Sequence, residues 1–310
     1  MTNALIYLNA PSVFRKKCQL VSIFMDEEQI NVRVPYCLLL FLMHFKPSNL
    51  RQKDLKAFLD DCVERYNKPD FIEHDPILIP HRFSKLQDIE IAGFWVAMLA
   101  WGQRKTIINK SNELMQLMDN APHDFIVNHQ EKDRKAFLDF KHRTFQSTDT
   151  LYFLEFLQTY YQEHHSLETA FSRHLTNKDP HTEKALIGFQ QSFFALPHAP
   201  KRTQKHIATP ARNSSCKRLN MFLRWMVRKD KKGVDFGLWK NIKPAQLLMP
   251  LDVHVERVGR KLGLLHRKQR DWKAVLELTE NLKKFDPKDP VKYDFALFGS
   301  GVIDAHKSLQ

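Results

Sequence analysis

Residues 213–228, with the sequence NSSCKRLNMFLRWMVR, predict an amphipathic helix that is central to the fold. Apolar residues recur there at spacings of three and four, which is typical of a helix that buries one face: Leu219, Phe222, Leu223 and Met226. The opposite face carries Lys217, Met221, Arg224 and Arg228. Three good N-cap residues precede Cys216, namely Asn213, Ser214 and Ser215, so we expect a side-chain cap at the helix start.

Lys217 lies in the first turn of this predicted helix, away from the buried stripe. Backbone N–H groups point outward at a helix start and the macrodipole is positive there. Because Arg218 and Arg224 are also close in sequence, we expect the pKa of the Lys217 amine to be lowered. A lysine of lowered pKa suits Schiff-base chemistry. Charge and position alone favour the alternative that Lys217 binds a phosphate.

Helical spacing recurs along the chain from about residue 49 and predicts an all-α protein. Leu55, Phe58, Leu59 and Cys62 form one stripe, and the segment from Asp88 to Trp101 is apolar nearly all round. Further helical segments cover 148–161, 167–175 and 185–196, and no run of alternating strands is found. Nine glycines in 310 residues are few, and neither GxxxxGK nor GxGxxG is present, which excludes the common nucleotide-binding loops.

Positive charge is concentrated in the last third of the chain. The formal net charge is +13, and residues 201–232 alone contain 11 basic residues against one acidic residue, Asp230. A local excess of this size around an apolar helix favours a polyanionic partner, with the phosphate backbone of nucleic acid first. The alternative is a solvated basic face.

Cysteine usage and hydropathy place the chain inside the cell. The four cysteines, Cys18, Cys37, Cys62 and Cys216, are far apart, which excludes a disulfide framework or a zinc ribbon. The apolar run 36–43 is well short of the roughly 20 residues that span a bilayer. We therefore expect a cytoplasmic protein that neither binds a membrane nor holds a metal ion. Residues 1–48 lack clear helix caps and are treated as an N-terminal extension of uncertain order, before a helical domain at 49–310.

A second informative stretch, residues 250–263, has the sequence PLDVHVERVGRKLG. Asp252 opens a helix there, so its simplest role is that of an N-cap. The stretch resembles the V-D-x-H-V-x-R-V-x-x-R-L-G signature of the helix-hairpin-helix DNA glycosylases. In that superfamily the aspartate is catalytic, and bifunctional members carry a nucleophilic lysine on the second hairpin helix. Asp252 and Lys217 match these positions, and their spacing is closest to that of the archaeal 8-oxoguanine glycosylase branch.

The same resemblance assigns roles to residues elsewhere. Residues 95–109 are similar to an early superfamily helix whose terminal glutamine, matched by Gln103, enters the DNA stack. Asp294 and Phe298 are four apart, the spacing at which oxidised-guanine glycosylases grip a flipped base, and Met221 would join that pocket; the alternative is a core aromatic beside a solvent-exposed aspartate. DNA contacts are expected from Arg104, Lys105, Lys201, Arg202, Lys205, Arg212, Ser214, Ser215 and Arg218.

Most of the chain, from about residue 50 to 302, is also similar to an uncharacterised family of conserved bacterial proteins. The distinctive strings are HRFSKLQDIEIAGF at 81–94, AWGQRKTIINK at 100–110, the stretch 205–228 and DPVKYDFALFG at 289–299. Two features depart from the glycosylase pattern. The usual Gly-x-Gly hairpin turn is replaced by Pro210 to Ser215, and the four cysteines of the endonuclease III branch are missing, so no iron–sulfur cofactor is expected.

The resemblance implies a two-lobed helix-hairpin-helix glycosylase-like fold with a cleft between the lobes. One lobe would comprise about 88–228, and the other 49–87 together with 229–310. The implied function is excision of a damaged base, such as an oxidised purine, from double-stranded DNA by a monomer, with AP-lyase activity and no cofactor. Three alternatives stay open: a glycosylase without lyase activity, a non-catalytic DNA-binding or damage-sensing protein on the same fold, and an RNA-binding helical protein.

Overall fold

The computed structural model describes residues 52–307, and within that part all regular structure is helical. The α-helices are α1 Gln52–Tyr66, α2 Asp70–Glu73, α3 Leu86–Leu99, α4 Arg104–Leu117, α5 Pro122–Asn128, α6 Ser147–Glu163, α7 Glu168–Ser172, α8 Glu183–Phe193, α9 Lys217–Val227, α10 Val253–Lys261, α11 Trp272–Lys283 and α12 Tyr293–Lys307. Extended pairing among these residues is limited to isolated bridges, such as Ser214 with Asp271. The prediction of an all-α protein is confirmed. The expected N-terminal extension at 1–48, with Cys18 and Cys37, lies outside the described residues.

Helix α3 is the buried centre of the packing, as its apolar sequence predicts. All but two of its fourteen residues are buried, and it contacts α4, α5 and α9. Gly93 allows the close approach of α9, because a Cβ there would lie 3.1 Å from Cε of Met226 and 3.3 Å from the Phe222 ring. This contact fixes the helix that carries Lys217.

A second set of contacts joins the carboxyl-terminal helices. Helix α12 packs on both α1 and α10, so Asp294 on α12 comes close to the start of α10 at Asp252. The stripe of α1 is buried at Leu55, Phe58, Leu59 and Cys62, as its spacing predicts. The grouping of the helices into two lobes stays a prediction.

The start of α9 differs from the sequence-based expectation. Its N-cap is Cys216, which adopts the left-handed conformation with φ +49° and makes no side-chain cap. Ser214 Oγ instead accepts a hydrogen bond from the Cys216 N–H at 3.3 Å, and Asn213 is also left-handed at φ +55°. The expected serine or asparagine cap is therefore wrong, because these residues form the turn before the helix.

The polar side of α9 is also more buried than its pattern indicates. Arg224 and Arg228 are 4% and 2% exposed. Arg224 pairs with Asp235 and Asp294, and Arg228 pairs with Asp235 at 3.0 Å and Asp289 at 2.9 Å. Carboxylates from later segments cover this face, so α9 is enclosed on both sides beyond its first turns.

Candidate active site around Lys217

Lys217 is the first residue of α9 and is half-buried. It lines a pocket of about 210 Å³ together with Lys205, with Ser214 and Ser215 of the preceding turn, and with Arg218 of the helix itself. Burial lowers the pKa of its amine, whereas the carboxylates of Asp252, Asp75 and Asp294 act in the opposite direction. The expected direction of the shift is confirmed, but its main cause is burial rather than the neighbouring arginines. Lowering the pKa increases the fraction of neutral, nucleophilic amine.

Asp252 caps α10 with one carboxylate oxygen. Its Oδ1 accepts hydrogen bonds from the backbone N–H groups of His254 at 2.8 Å and Val255 at 2.9 Å. The predicted capping role is confirmed, and Oδ2 lies outside this cap. Because Asp252 also acts electrostatically on Lys217, its two oxygens can serve a structural and a chemical purpose at once.

Asp294 and Phe298 share one face of α12. Their burial is the opposite of the alternative drawn from the sequence, a core aromatic beside a solvent-exposed aspartate. Asp294 is the buried member, 5% exposed, and accepts a hydrogen bond from Arg224. Burial raises the pKa of Asp294 to about 6, while Arg224 opposes the shift and Asp252 adds to it. Phe298 is half-buried rather than enclosed in the core.

Three aromatic or cationic groups surround Phe298. Phe71 and His254 approach its ring edge-on, with centroid distances of 6.3 Å and 5.8 Å. The guanidinium carbon of Arg104 lies over the ring, 5.7 Å from its centroid. Since His254 is two residues after Asp252, the ring stands beside the capped start of α10. Met221 is half-buried one turn after Lys217.

Asp75 also acts electrostatically on the Lys217 amine, although no sequence motif marks it. Its Oδ1 accepts a hydrogen bond from the Ile77 N–H at 3.1 Å, and the carboxylate is 9% exposed. Burial raises its pKa, opposed by the charges of Arg104, Arg224 and Lys217. Only the folded chain brings Asp75 to Lys217, 142 positions later in the sequence.

Gln103 is exposed at the turn between α3 and α4. It occupies the N-cap position of α4 but makes no side-chain cap. The preceding Gly102 has φ +108°, and a Cβ there would lie 2.8 Å from Nη1 of Arg143. The turn therefore requires glycine, and it presents Gln103 outward.

The residues predicted to contact DNA differ in how exposed they are. Lys105, Lys201, Lys205 and Arg212 are exposed. Arg202 pairs with the buried Asp149 at 2.6 Å, and Arg218 donates to the carbonyls of Met98 and His206 while covering the Trp101 ring at 4.8 Å. Burial lowers the pKa of Arg218 to about 10. Ser214 and Ser215 are half-buried in the turn before α9.

Within residues 52–307, no helix combines the length and apolar character that crossing a membrane requires. The same residues contain no group of three or more His, Cys, Asp and Glu side chains placed to hold a metal ion.

The comparisons with known proteins identify a family. A family model described as "Protein of unknown function (DUF2400)" matches residues 75–303, so the chain belongs to this family. The match begins at Asp75 and includes Lys217, Asp252 and Asp294. No curated protein and no solved structure matches the chain.

Proposed function

We propose that this family member is a DNA glycosylase with AP-lyase activity, which acts on a damaged base flipped out of double-stranded DNA. The observation that carries the proposal is the environment of Lys217. Lys217 lines a pocket at the start of a helix, burial lowers the pKa of its amine, and Asp252 is among the carboxylates that act on that amine. A lysine nucleophile with an adjacent carboxylate is the combination that Schiff-base chemistry at a sugar C1′ needs.

The proposed reaction uses Lys217 as the nucleophile and Asp252 as the carboxylate that assists it. Neutral Lys217 attacks C1′ of the flipped nucleoside, the glycosidic C–N bond breaks, and the base leaves with the bonding electrons and takes up a proton. Asp252 stabilises the positive charge that develops on the sugar and accepts a proton from the attacking amine. Opening of the sugar ring gives an imine, and loss of a C2′ proton expels the 3′ phosphate by β-elimination. Flipping itself costs a few kcal/mol and costs least at damaged pairs.

Basic residues near the pocket support a duplex DNA substrate. Lys201 and Lys205 are exposed before α9, and Lys205 also lines the Lys217 pocket. Gln103 and Lys105 are exposed at the start of α4, whose Arg104 lies over Phe298. In this proposal, the basic side chains hold the phosphates and Gln103 fills the space left by the flipped base. The protein acts as a monomer, and its two lobes enclose the site.

Borohydride trapping tests the proposal. Reduction during reaction with a duplex that contains 8-oxoguanine, or a preformed abasic site, should leave the protein covalently joined to DNA. Lys217→Gln should abolish this adduct and retain DNA binding. Lys205→Gln is the matched control, because it removes a second lysine from the same pocket and should weaken binding while the adduct still forms.

Two outcomes would contradict the assignment. An adduct that persists in Lys217→Gln would place the nucleophile elsewhere. Tight binding to lesion DNA without any adduct or base release by the unmodified protein would favour the non-catalytic, damage-sensing alternative.

A further inference from the structure

The basic loop, residues 262–271, connects α10 to α11 and concentrates positive charge. The stretch 260–273, which includes this loop, contains six basic residues and one acidic residue. Lys268 and Arg270 are exposed on the loop, and Lys273 is exposed in the first turn of α11. A cation in the first turn of a helix is disfavoured by the macrodipole, so Lys273 does not stabilise α11. A local excess of this size favours a polyanionic partner.

The backbone at the centre of the basic loop is hydrogen-bonded within the protein. Glu277 accepts hydrogen bonds from the N–H groups of His266 at 2.7 Å and Arg267 at 3.2 Å. Arg260 donates to the carbonyl of Arg267 and to that of Lys268, the latter at 2.9 Å. These contacts hold the loop in a defined shape, which lowers the entropic cost of binding a partner. Contacts to that partner are then left to the exposed side chains.

The cations of this region differ in whether a carboxylate neutralises them. Arg267 donates two hydrogen bonds to the carboxylate of Asp271, at 2.7 Å and 2.5 Å. Arg270 lies 3.5 Å from one carboxylate oxygen, and its side chain is 42% exposed. Lys268 and Lys273 form no ion pair with any residue in the described part of the chain. The exposed cations are therefore the ones that keep their charge available to a partner.

The basic loop is joined to the turn that lines the Lys217 pocket. Asp271, at the end of the loop, forms an antiparallel bridge with Ser214. The carbonyl of Asn213 accepts a hydrogen bond from the Trp272 N–H at 3.2 Å, and the Asn213 side chain donates to Asp271 at 3.0 Å. Ser214 lines the pocket together with Lys217. A DNA strand that enters the pocket therefore continues beside the basic loop.

We propose that Lys268, Arg270 and Lys273 form a second phosphate-binding surface, which holds one arm of the duplex next to the flipped nucleotide. Their ammonium and guanidinium groups contact the phosphate backbone and release counterions, so this surface adds affinity without reading sequence. Because the basic loop adjoins the pocket through one turn, its contacts are confined to one of the two arms. The inference rests on the proposed glycosylase function and extends its DNA contacts beyond the pocket.

Shortening each arm of the duplex in turn tests the inference by fluorescence anisotropy. The probe is a labelled duplex with a central tetrahydrofuran, which mimics an abasic site and cannot form the Lys217 adduct. For the unmodified protein, shortening one particular arm should weaken binding by about tenfold at low salt. Lys268→Gln/Arg270→Gln should bind the full duplex about tenfold more weakly and should no longer respond to the length of that arm. Its response to the other arm should equal that of the unmodified protein.

The matched control is Lys284→Gln/Lys288→Gln, which removes the same charge elsewhere. Lys284 and Lys288 are exposed beyond the opposite end of α11, about 18 Å from the basic loop, since the 12 residues of this helix rise by about 1.5 Å each. This variant should keep both the affinity and the dependence on arm length. Both variants alter exposed side chains, so their melting temperatures should stay close to that of the unmodified protein.

Other outcomes would overturn the inference. If Lys268→Gln/Arg270→Gln responds to both arms as the unmodified protein does, the basic loop does not hold DNA; adduct formation at an abasic site would then leave the glycosylase function standing. Weaker binding that is the same for every arm length would reduce the loop to a general effect of net charge. Tighter binding to single-stranded RNA than to duplex DNA, lost in this variant, would assign the surface to RNA. Absence of duplex binding by the unmodified protein at low salt refutes the proposed function and this inference with it.

Discussion

The guanidinium of Arg224 donates a hydrogen bond to the carboxylate of Asp294 and thereby ties α9 to α12. Arg224 also pairs with Asp235 at 3.2 Å, and its guanidinium carbon lies 4.6 Å from the Phe295 ring centroid. This cluster lies two turns along α9 from Lys217, so it sets the orientation of the helix that presents the amine. Asp294 therefore has a structural partner before any ligand is considered.

We predict that Asp294→Ala destabilises the protein by about 3 kcal/mol, because it leaves an N–H donor of the buried Arg224 without its acceptor. Asp294→Asn should cost less than about 1 kcal/mol, since the amide oxygen still accepts a hydrogen bond. Urea unfolding at pH 7 measures both variants. The control is Asp61→Asn, which removes an exposed ion pair with Arg65 and should change stability by at most about 1 kcal/mol. Equal effects of Ala and Asn would show that Arg224 does not depend on this contact.

Asp294 should also make stability depend on pH. Its pKa is raised to about 6 in the folded protein, mainly by burial, so the folded state binds the proton more tightly than the unfolded state does. The stabilising contribution of this group is complete below its unfolded pKa of about 3.9 and is lost as the pH rises through about 6. The difference in unfolding free energy between the unmodified protein and Asp294→Asn should therefore change across that interval. A constant difference from pH 4 to pH 7 would contradict the prediction.

The helices and the main stripes could be predicted from sequence because their signals are local. The stripe of α1 and the apolar run of α3 each lie within a few turns of one helix. The burial and hydrogen bonding of Glu90 could not be predicted from a local pattern. It lies in the middle of α3, fully buried, and its carboxylate accepts hydrogen bonds from Tyr161, Ser166, Leu167 and Trp239. Those donors are 71 to 149 positions away, so no local pattern marks them.

The residues of the candidate site likewise include some that a local motif marks and others that only the packing of the chain brings together. Lys217 and Asp252 were found through motifs that surround them in sequence. Asp75 was missed because it comes near Lys217 only through long-range packing. The pairing of Arg224 was missed because its partner carboxylates lie outside α9. A charged residue on the face opposite a buried stripe suggests solvent, yet later segments supply the carboxylates that cover Arg224.

DNA binding should weaken with salt, and log affinity should fall by about 0.9 per phosphate contact for each unit of log salt. Charge reversal at the exposed Lys201 and Lys205 should flatten this slope. Arg202→Glu is expected to behave differently and to lower the melting temperature, because Arg202 pairs with the buried Asp149 at 2.6 Å. Lys53→Glu, exposed on α1, is the control. Fluorescence anisotropy at several salt concentrations provides the slopes, and a slope that the double reversal leaves intact would exclude these lysines as phosphate contacts.

Gln103→Ala should reduce the preference for lesion DNA and leave the fold intact. The side chain is exposed and makes no cap at α4, so stability should change by less than about 0.5 kcal/mol. Affinity for duplex with a lesion should fall more than affinity for undamaged duplex, because only the former needs the vacated space filled. Gln162→Ala, exposed on α6, is the control for loss of a surface amide. Equal weakening on both duplexes would identify Gln103 as an ordinary surface contact.

The pH dependence of adduct formation links Lys217 to Asp252. Burial lowers the pKa of the Lys217 amine, so trapping at a preformed abasic site should rise with pH and level off below the usual lysine value of about 10.4. The Asp252 carboxylate favours the ammonium form and acts against this shift. Asp252→Asn should therefore move the midpoint of the pH profile of trapping to lower pH. The same substitution should slow excision of a damaged base by about 100-fold or more, because the charge that stabilises the developing cation is lost.

These two opposite effects distinguish a chemical role of Asp252 from a structural one. Asparagine is as good an N-cap as aspartate, so the melting temperature should change little. Asp271→Asn is the control, because Asp271 caps α11 by accepting from the Ala274 N–H at 3.1 Å. If Asp252→Asn left both the midpoint and the excision rate unaltered, its carboxylate would serve only to begin α10. A shift of this midpoint without any loss of excision would show that Asp252 acts only on the pKa of the Lys217 amine.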